Sequence, residues 1–133
     1  MRNIINCRVV IGILLLGLSS CHKEKNNSIL FQMRNDTNAE IAKAEIFVHS
    51  NNSGTLQSVA VTTNLAKGST YSQRLAPGSL PSSDGGYEIR ITEPNIPRSY
   101  RFGYFTNGND FRSEYAIGIM SDTVKIDVVN RDM

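Results

Sequence analysis

Histidines beside hydroxyl or acidic residues are the first place to look for chemistry in this chain. There are two histidines, His22 and His49, and Ser50 directly follows His49. A serine that is activated by a histidine and oriented by an acid can attack a carbonyl carbon. The chain has no G-x-S-x-G segment to present such a serine on a sharp turn. We therefore interpret His49 as a structural or solvent-facing residue at a strand end, and we predict no catalytic residue.

Oxygen-rich turns are the second candidate for chemistry. The segments Asp84-Gly85-Gly86 and Asn107-Gly108-Asn109-Asp110 contain side-chain oxygens that could bind calcium. Neither segment has the dense acidic spacing of a calcium loop, and no Cys/His cluster has the spacing of a zinc site. The sequence therefore predicts tight turns at both places, with no metal ion and no cofactor.

The first 21 residues have the pattern of an export signal. Arg2 and Arg8 precede an apolar segment at 9–18, and small residues then lead to Cys21 in Leu18-Ser19-Ser20-Cys21. This order is typical of secretory signals, whereas a spanning helix needs about 20 apolar residues. The four residues resemble the lipobox of bacterial lipoproteins. The resemblance implies cleavage between Ser20 and Cys21, with diacylglycerol on the Cys21 sulfur and usually a third acyl chain, such as palmitate, on its amine. An ordinary cleaved signal and an uncleaved anchor are the alternatives.

The residues after Cys21 bear on where a lipoprotein would be held. The resemblance places inner-membrane retention on an Asp after the cysteine, but the residue here is His22. We therefore expect a lipid-anchored protein of the outer membrane. Only Glu24 is acidic in the tether, so the periplasmic and surface faces both stay open. Residues 22–27 reach at most about 20 Å, which keeps the folded body close to the bilayer.

Removing the signal changes what the composition implies. The whole chain has 14 basic and 12 acidic residues, and Arg2 and Arg8 belong to the signal. The remaining charges balance, so the composition does not indicate a nucleic-acid partner. Cys7 would be lost and Cys21 acylated, which leaves no cysteine for a disulfide. We predict a signal peptide at 1–20, a lipidated tether at 21–27 and one domain at 28–133.

The remaining sequence alternates between apolar and polar residues with a period of two, which is typical of strands. The clearest cases begin at Ile29, Ala44 and Tyr87. Seven to eight short strands predict an all-β, antiparallel β-sandwich, either immunoglobulin-like or transthyretin-like. The segments Asn35-Asp36-Thr37, Gly85-Gly86-Tyr87 and 102–108 resemble those of small β-sandwich lipoproteins of Gram-negative bacteria. That resemblance implies no activity.

The C-terminal third predicts a three-stranded meander at 98–129. A type I′ turn at Asn107-Gly108 would pair Tyr104 with Phe111, Tyr100 with Tyr115 and Arg101 with Glu114. A second turn at Ser121-Asp122 would pair Ile117 with Ile126 and Tyr115 with Val128. Both registers turn Tyr115 inward and Phe105 outward. An exposed Phe105 beside Arg101 and Arg112 would be a weaker candidate contact site.

These observations favour a lipid-anchored, non-enzymatic binding or assembly module whose partner is a protein or glycan of the cell envelope. The tether enters the first strand near Ser28, and successive antiparallel strands reverse direction. Eight strands then place alternate loops at the end away from the membrane, where loops often carry binding residues. The candidate contacts on these loops are Asn35, Asp36, Asn38, Lys67, Glu93, Asn95 and Asp122.

Two alternatives and one modification remain open at this point. A small envelope hydrolase would need a deep pocket with a strained polar pair, and a subunit of a fimbria or other surface structure would need a donor strand. The segment Asp122-Thr123-Val124 resembles the three-residue O-glycosylation signal of some Gram-negative lineages, with Thr123 as the acceptor.

Overall fold

The computed structural model describes residues 28–93 and 97–131. The lipobox residues Ser20 and Cys21 and the candidate contact Asn95 lie outside these ranges. The described residues form eight strands and no helix, so they contain no helix that could cross a membrane. The strands are β1 (Ile29–Asn35), β2 (Ile41–Ser50), β3 (Leu56–Leu65), β4 (Thr70–Leu75), β5 (Gly85–Thr92), β6 (Pro97–Phe105), β7 (Arg112–Ile119) and β8 (Val124–Asn130).

The eight strands form two four-stranded sheets packed face to face. The first sheet has the order β4-β1-β7-β8 and the second the order β3-β2-β5-β6. Neighbouring strands are antiparallel except β1 and β7, which are parallel. The predicted all-β sandwich of seven to eight strands is thus confirmed. The immunoglobulin-like alternative does not fit, because its first two strands share a sheet, whereas β1 and β2 lie in different sheets. The transthyretin-like alternative remains.

The core follows the predicted alternation. Phe31 and Tyr115 from the first sheet meet Tyr87 and Phe102 from the second, with ring centroids 5.3–6.4 Å apart. Such ring pairs add to the stabilisation that comes from burying their area. Aliphatic side chains of β1, β2, β5 and β7 fill the remaining space between the sheets, as the two-residue period requires. These buried side chains are Ile29, Met33, Ile41, Ala44, Ile46, Val48, Ile89, Ile91, Ile117 and Ile119.

The predicted meander is half right. β7 and β8 form the expected hairpin, with Ile117 opposite Ile126 and Tyr115 opposite Val128. The predicted pairing of β6 with β7 is wrong, because β6 lies in the second sheet and β7 in the first. The pairs of Tyr104 with Phe111 and of Arg101 with Glu114 therefore do not form. Asn107 and Gly108 do make the turn, with φ of 49° and 73°, but only the Thr106–Asn109 bridge follows the expected register.

The sequence predicts that Phe105 faces outward, but the side chain points into the core. A bulge in β6 explains this difference. Gly103 has a φ of 62°, and the register between β5 and β6 shifts beside it. Because a bulge adds one residue to a strand, it exchanges the faces of the residues that follow. Phe105 is consequently buried at 1% exposure, while Tyr104 is 47% exposed. A Cβ at position 103 would lie 2.7 Å from the Tyr115 hydroxyl, so this position requires glycine.

Alternating strand directions sort the loops into two ends, which we call the tip and the base. The tip contains the loops 36–40, 66–69 and 120–123, together with Glu93 at the end of β5. The base contains the loops 51–55, 76–84 and 106–111. Ser28 also lies at the base, where its carbonyl accepts a hydrogen bond of 2.8 Å from Arg131. The chain therefore enters the sandwich at the base and reaches the tip at the end of β1.

Candidate functional site

Asn35 is the residue that holds the loops of the tip together. Its side-chain amide donates to the carbonyls of Ala39 and Leu65 at 2.7 and 2.8 Å. Its side-chain oxygen accepts from the Thr37 amide and hydroxyl at 2.9 and 2.7 Å. Asn35 is fully buried. The interpretation of Asn35 as a partner contact is therefore wrong, since its polar atoms are used inside the protein to join two loops.

Asn38 and Lys67 remain available on the surface that Asn35 supports. Both side chains are exposed, and the Lys67 ammonium donates to the Asn38 side-chain oxygen at 3.3 Å. Asp36 is also exposed and forms an ion pair of 2.8 Å with Arg34. These residues come from the β1–β2 and β3–β4 loops, which the sequence places 29 positions apart. The tip thus brings together three of the predicted contact residues.

Glu93 and Asp122 are held at the same end by Arg98 and Tyr100, respectively. The guanidinium donates to Glu93 at 2.6 Å and to the carbonyl of Met120 at 2.8 Å. The hydroxyl of Tyr100 donates to the carbonyl of Asp122 at 3.2 Å. Glu93 directly follows β5 of the second sheet and Met120 directly follows β7 of the first. Arg98 therefore bridges the two sheets. Sequence reasoning missed Arg98, whose only signal was a basic residue directly after a proline.

A shallow cleft lies in the centre of the tip. Its volume is about 170 Å³, and its walls come from the β1–β2 loop, the end of β5 and the β7–β8 turn. The lining residues are Thr37, Asn38, Ala39, Glu40, Glu93 and Ser121. The Glu93 carboxylate is already paired with Arg98, but the exposed Glu40 carboxylate and Asn38 amide at the rim suit a partner that presents hydrogen-bond donors.

The weaker contact site around Phe105 is not assembled. Phe105 packs against Tyr87 inside the sandwich, with ring centroids 5.7 Å apart. Arg101 is 77% exposed on the outer face of β6, whereas Arg112 lies at the base and donates to the Tyr104 carbonyl at 2.6 Å. These three side chains therefore do not form one surface. Thr123 is exposed in the β7–β8 turn.

Asp110 holds a buried carboxylate at the base of the sandwich. Its side chain is completely covered and pairs with Arg112 at 3.4 Å. The hydroxyls of Tyr87 and Tyr115 both donate to one of its oxygens, at 2.8 and 2.7 Å. The other oxygen accepts the Arg112 amide at 2.9 Å. Asp110 thus joins the two sheets at the base, and its oxygens are occupied by protein donors.

Because Tyr87 and Tyr115 are buried, we expect the protein to lose stability in alkali. Burial first, and Asp110 second, raise the pKa of Tyr87 well above its ordinary value of 10.0. Burial first, and the hydrogen bond to Asp110 second, also raise the pKa of Tyr115. Above about pH 10 the unfolded chain loses these two protons while the folded protein keeps them. The free energy of unfolding should therefore fall by about 2.7 kcal/mol per pH unit from these two groups.

Urea unfolding at several pH values above 10 measures this slope. Tyr115→Phe should reduce it by about 1.4 kcal/mol per pH unit, because one titrating group is removed. An identical slope in the variant and the native protein would contradict the assignment. Across the parts of the chain that the structure describes, no group of three His, Cys, Asp or Glu side chains is placed to hold a metal ion.

Comparison with known proteins adds no assignment to this geometry. No protein-family model matches the chain, and a search of curated proteins finds no match. The candidate site therefore stands on its residues alone: a polar tip that is assembled from several loops and supported from within by Asn35 and Arg98.

Proposed function

We propose that this chain is a lipid-anchored β-sandwich of the outer membrane that binds a protein or glycan partner of the envelope through its tip. The observation that carries the proposal is the convergence of Asn38, Lys67 and Glu93 on one surface, at the end opposite to Ser28. A module that is tethered at one end keeps the other end free for a partner. Loops on a rigid scaffold are the usual carriers of binding residues.

The anchor is the first part of the proposal that can be tested. Cys21→Ser should abolish acylation and cleavage before residue 21 but leave the export signal intact. Detergent phase partitioning and mass spectrometry of the mature N-terminus measure both effects. Native protein found in the aqueous phase with an unmodified Cys21 would show that the lipobox interpretation is wrong.

The partner surface can be tested by photo-crosslinking in intact envelopes. A photoreactive residue at Asn38, on the tip, should give a crosslinked product of defined mass. The same residue at Ser53, exposed in the β2–β3 loop of the base, should not. Ser53 is the matched control, because both positions are polar, exposed and in loops.

A charge reversal then tests the chemistry of the tip. Glu40→Lys changes an exposed carboxylate on the cleft rim and should reduce the Asn38 product about tenfold, which corresponds to about 1.4 kcal/mol of binding. Asp127→Lys makes the same change on β8, where Asp127 is 66% exposed, and should leave the product unchanged. Equal products from both variants would reject the cleft as the contact site.

A further inference from the structure

Exposed apolar side chains concentrate at one end of the sandwich. Six large hydrophobic residues are exposed within the described ranges, and four of them lie at the base. Phe111 is the most exposed at 67%, followed by Val129 at 52% and Val128 at 49%. Tyr104 and Leu56 also lie at the base, whereas Val128 and Val61 lie within β8 and β3, away from the strand ends. An even distribution of surface apolar residues needs no explanation, but a concentration of this kind indicates a contact surface.

Three of these residues belong to one corner, which we call the base patch: Tyr104, Phe111 and Val129. Arg112 links two of its members, because Arg112 follows Phe111 and donates to the Tyr104 carbonyl at 2.6 Å. The Arg131 amide donates to the Phe111 carbonyl at 2.9 Å, and Ser113 donates to the Val129 carbonyl at 3.2 Å. The patch thus spans the end of β6, the β6–β7 loop and the end of β8.

Ser28, where the chain enters the sandwich, lies beside the base patch. The side chain of Arg131 donates to the Ser28 carbonyl, while its amide donates to the Phe111 carbonyl. Residues 22–27 are all that separates Ser28 from Cys21, and six residues span at most about 20 Å. An acylated Cys21 therefore keeps the patch within that distance of the bilayer surface.

We propose that the base patch inserts into the boundary between the lipid headgroups and acyl chains of the membrane that holds Cys21. Aromatic rings that carry a polar atom, such as the ring of Tyr104, are enriched at this depth, and Phe111 and Val129 supply apolar area. The insertion fixes the sandwich upright, with the tip pointing away from the membrane. This inference rests on the proposed function, because it requires the lipid on Cys21.

A single-tryptophan experiment tests the insertion. The chain has no tryptophan, so Phe111→Trp places one fluorescent reporter in the patch at an exposed position. The mature lipidated protein is reconstituted into phosphatidylethanolamine and phosphatidylglycerol vesicles, with and without bromine on the acyl chains. Ser53→Trp reports from the base outside the patch, and Asn38→Trp reports from the tip.

The inference predicts that brominated acyl chains reduce the Phe111→Trp emission about twofold or more, as expected for a residue at the acyl boundary. The emission of Ser53→Trp and Asn38→Trp should change little. Equal quenching of Phe111→Trp and Ser53→Trp would show that the tether merely keeps the whole base near the bilayer. This result would overturn the insertion. Protein that does not float with the vesicles would instead reject the anchor, and the insertion with it. Unquenched Phe111→Trp accompanied by concentration-dependent dimers would assign the patch to a second copy and also overturn the insertion.

Discussion

Replacing Ile117 with aspartate is expected to lower the free energy of unfolding by about 4 kcal/mol, because it places an unpaired charge in the core. Ile117 is 1% exposed and lies between Met33 of β1 and Ile126 of β8. These neighbours offer no hydrogen-bond donor or positive charge to a carboxylate. The variant should therefore unfold at a much lower urea concentration than the native protein.

Ala116→Asp is the matched control, since it introduces the same side chain one residue earlier on the opposite face. Ala116 is partly exposed and pairs with Gln32 and Asp127. The new charge would stay hydrated, and Asp127 already pairs with Lys125 at 3.0 Å, so the expected loss is about 1 kcal/mol or less. Urea midpoints that are equal for the two variants would contradict the assigned faces of β7.

The β7–β8 hairpin shows what the sequence could predict. Its two-residue turn and its alternating Ile117, Ile119, Val124 and Ile126 specify one register, because a slip by one residue would expose every apolar side chain. The structure has that register. The same reasoning predicts the inward-facing residues of β1, of β2 from Ala44 onward and of β5 from Tyr87 onward.

The β6–β7 connection shows what the alternation of apolar and polar residues cannot predict. Alternation indicates which face of a strand is buried, but it does not indicate which sheet the strand joins. The turn at Asn107-Gly108 is equally suited to a hairpin and to a crossing between sheets. The bulge at Gly103 also leaves no sign in the alternation, because the added residue is revealed only by the φ of 62° and by the register shift between β5 and β6. Phe105 was therefore assigned to the wrong face.

The sequence predicts which loops meet at the tip. It does not predict which residues of these loops are exposed and which are buried supports. Strand alternation brings the loops of Asn38, Lys67 and Glu93 to one end, and β3 had to be a real strand for this to hold. The burial of Asn35 could not be predicted, because Asn-Asp-Thr reads as a solvent-exposed turn. Its burial depends on the Leu65 carbonyl, which lies 30 residues away along the chain.

Asn35→Asp is expected to destabilise the protein by about 4 kcal/mol, although it replaces a single NH2 group by an oxygen. The two hydrogen bonds that the Asn35 amide donates to Ala39 and Leu65 would be lost. In their place a carboxylate oxygen would face two carbonyl oxygens in a position that is fully buried. The loops 36–40 and 66–69 should separate, so the tip should lose its partner before the whole sandwich unfolds.

Asn38→Asp provides the control, because it makes the same chemical change in the same loop at an exposed position. Its side-chain oxygen already accepts from Lys67, and a carboxylate accepts equally well, so the free energy of unfolding should change by less than about 0.5 kcal/mol. Urea unfolding compares the two variants, and hydrogen exchange of the 36–40 and 66–69 amides reports the loop separation. If Asn35→Asp is as stable as Asn38→Asp, the tip is not held together by Asn35, and Asn35 becomes a candidate contact again.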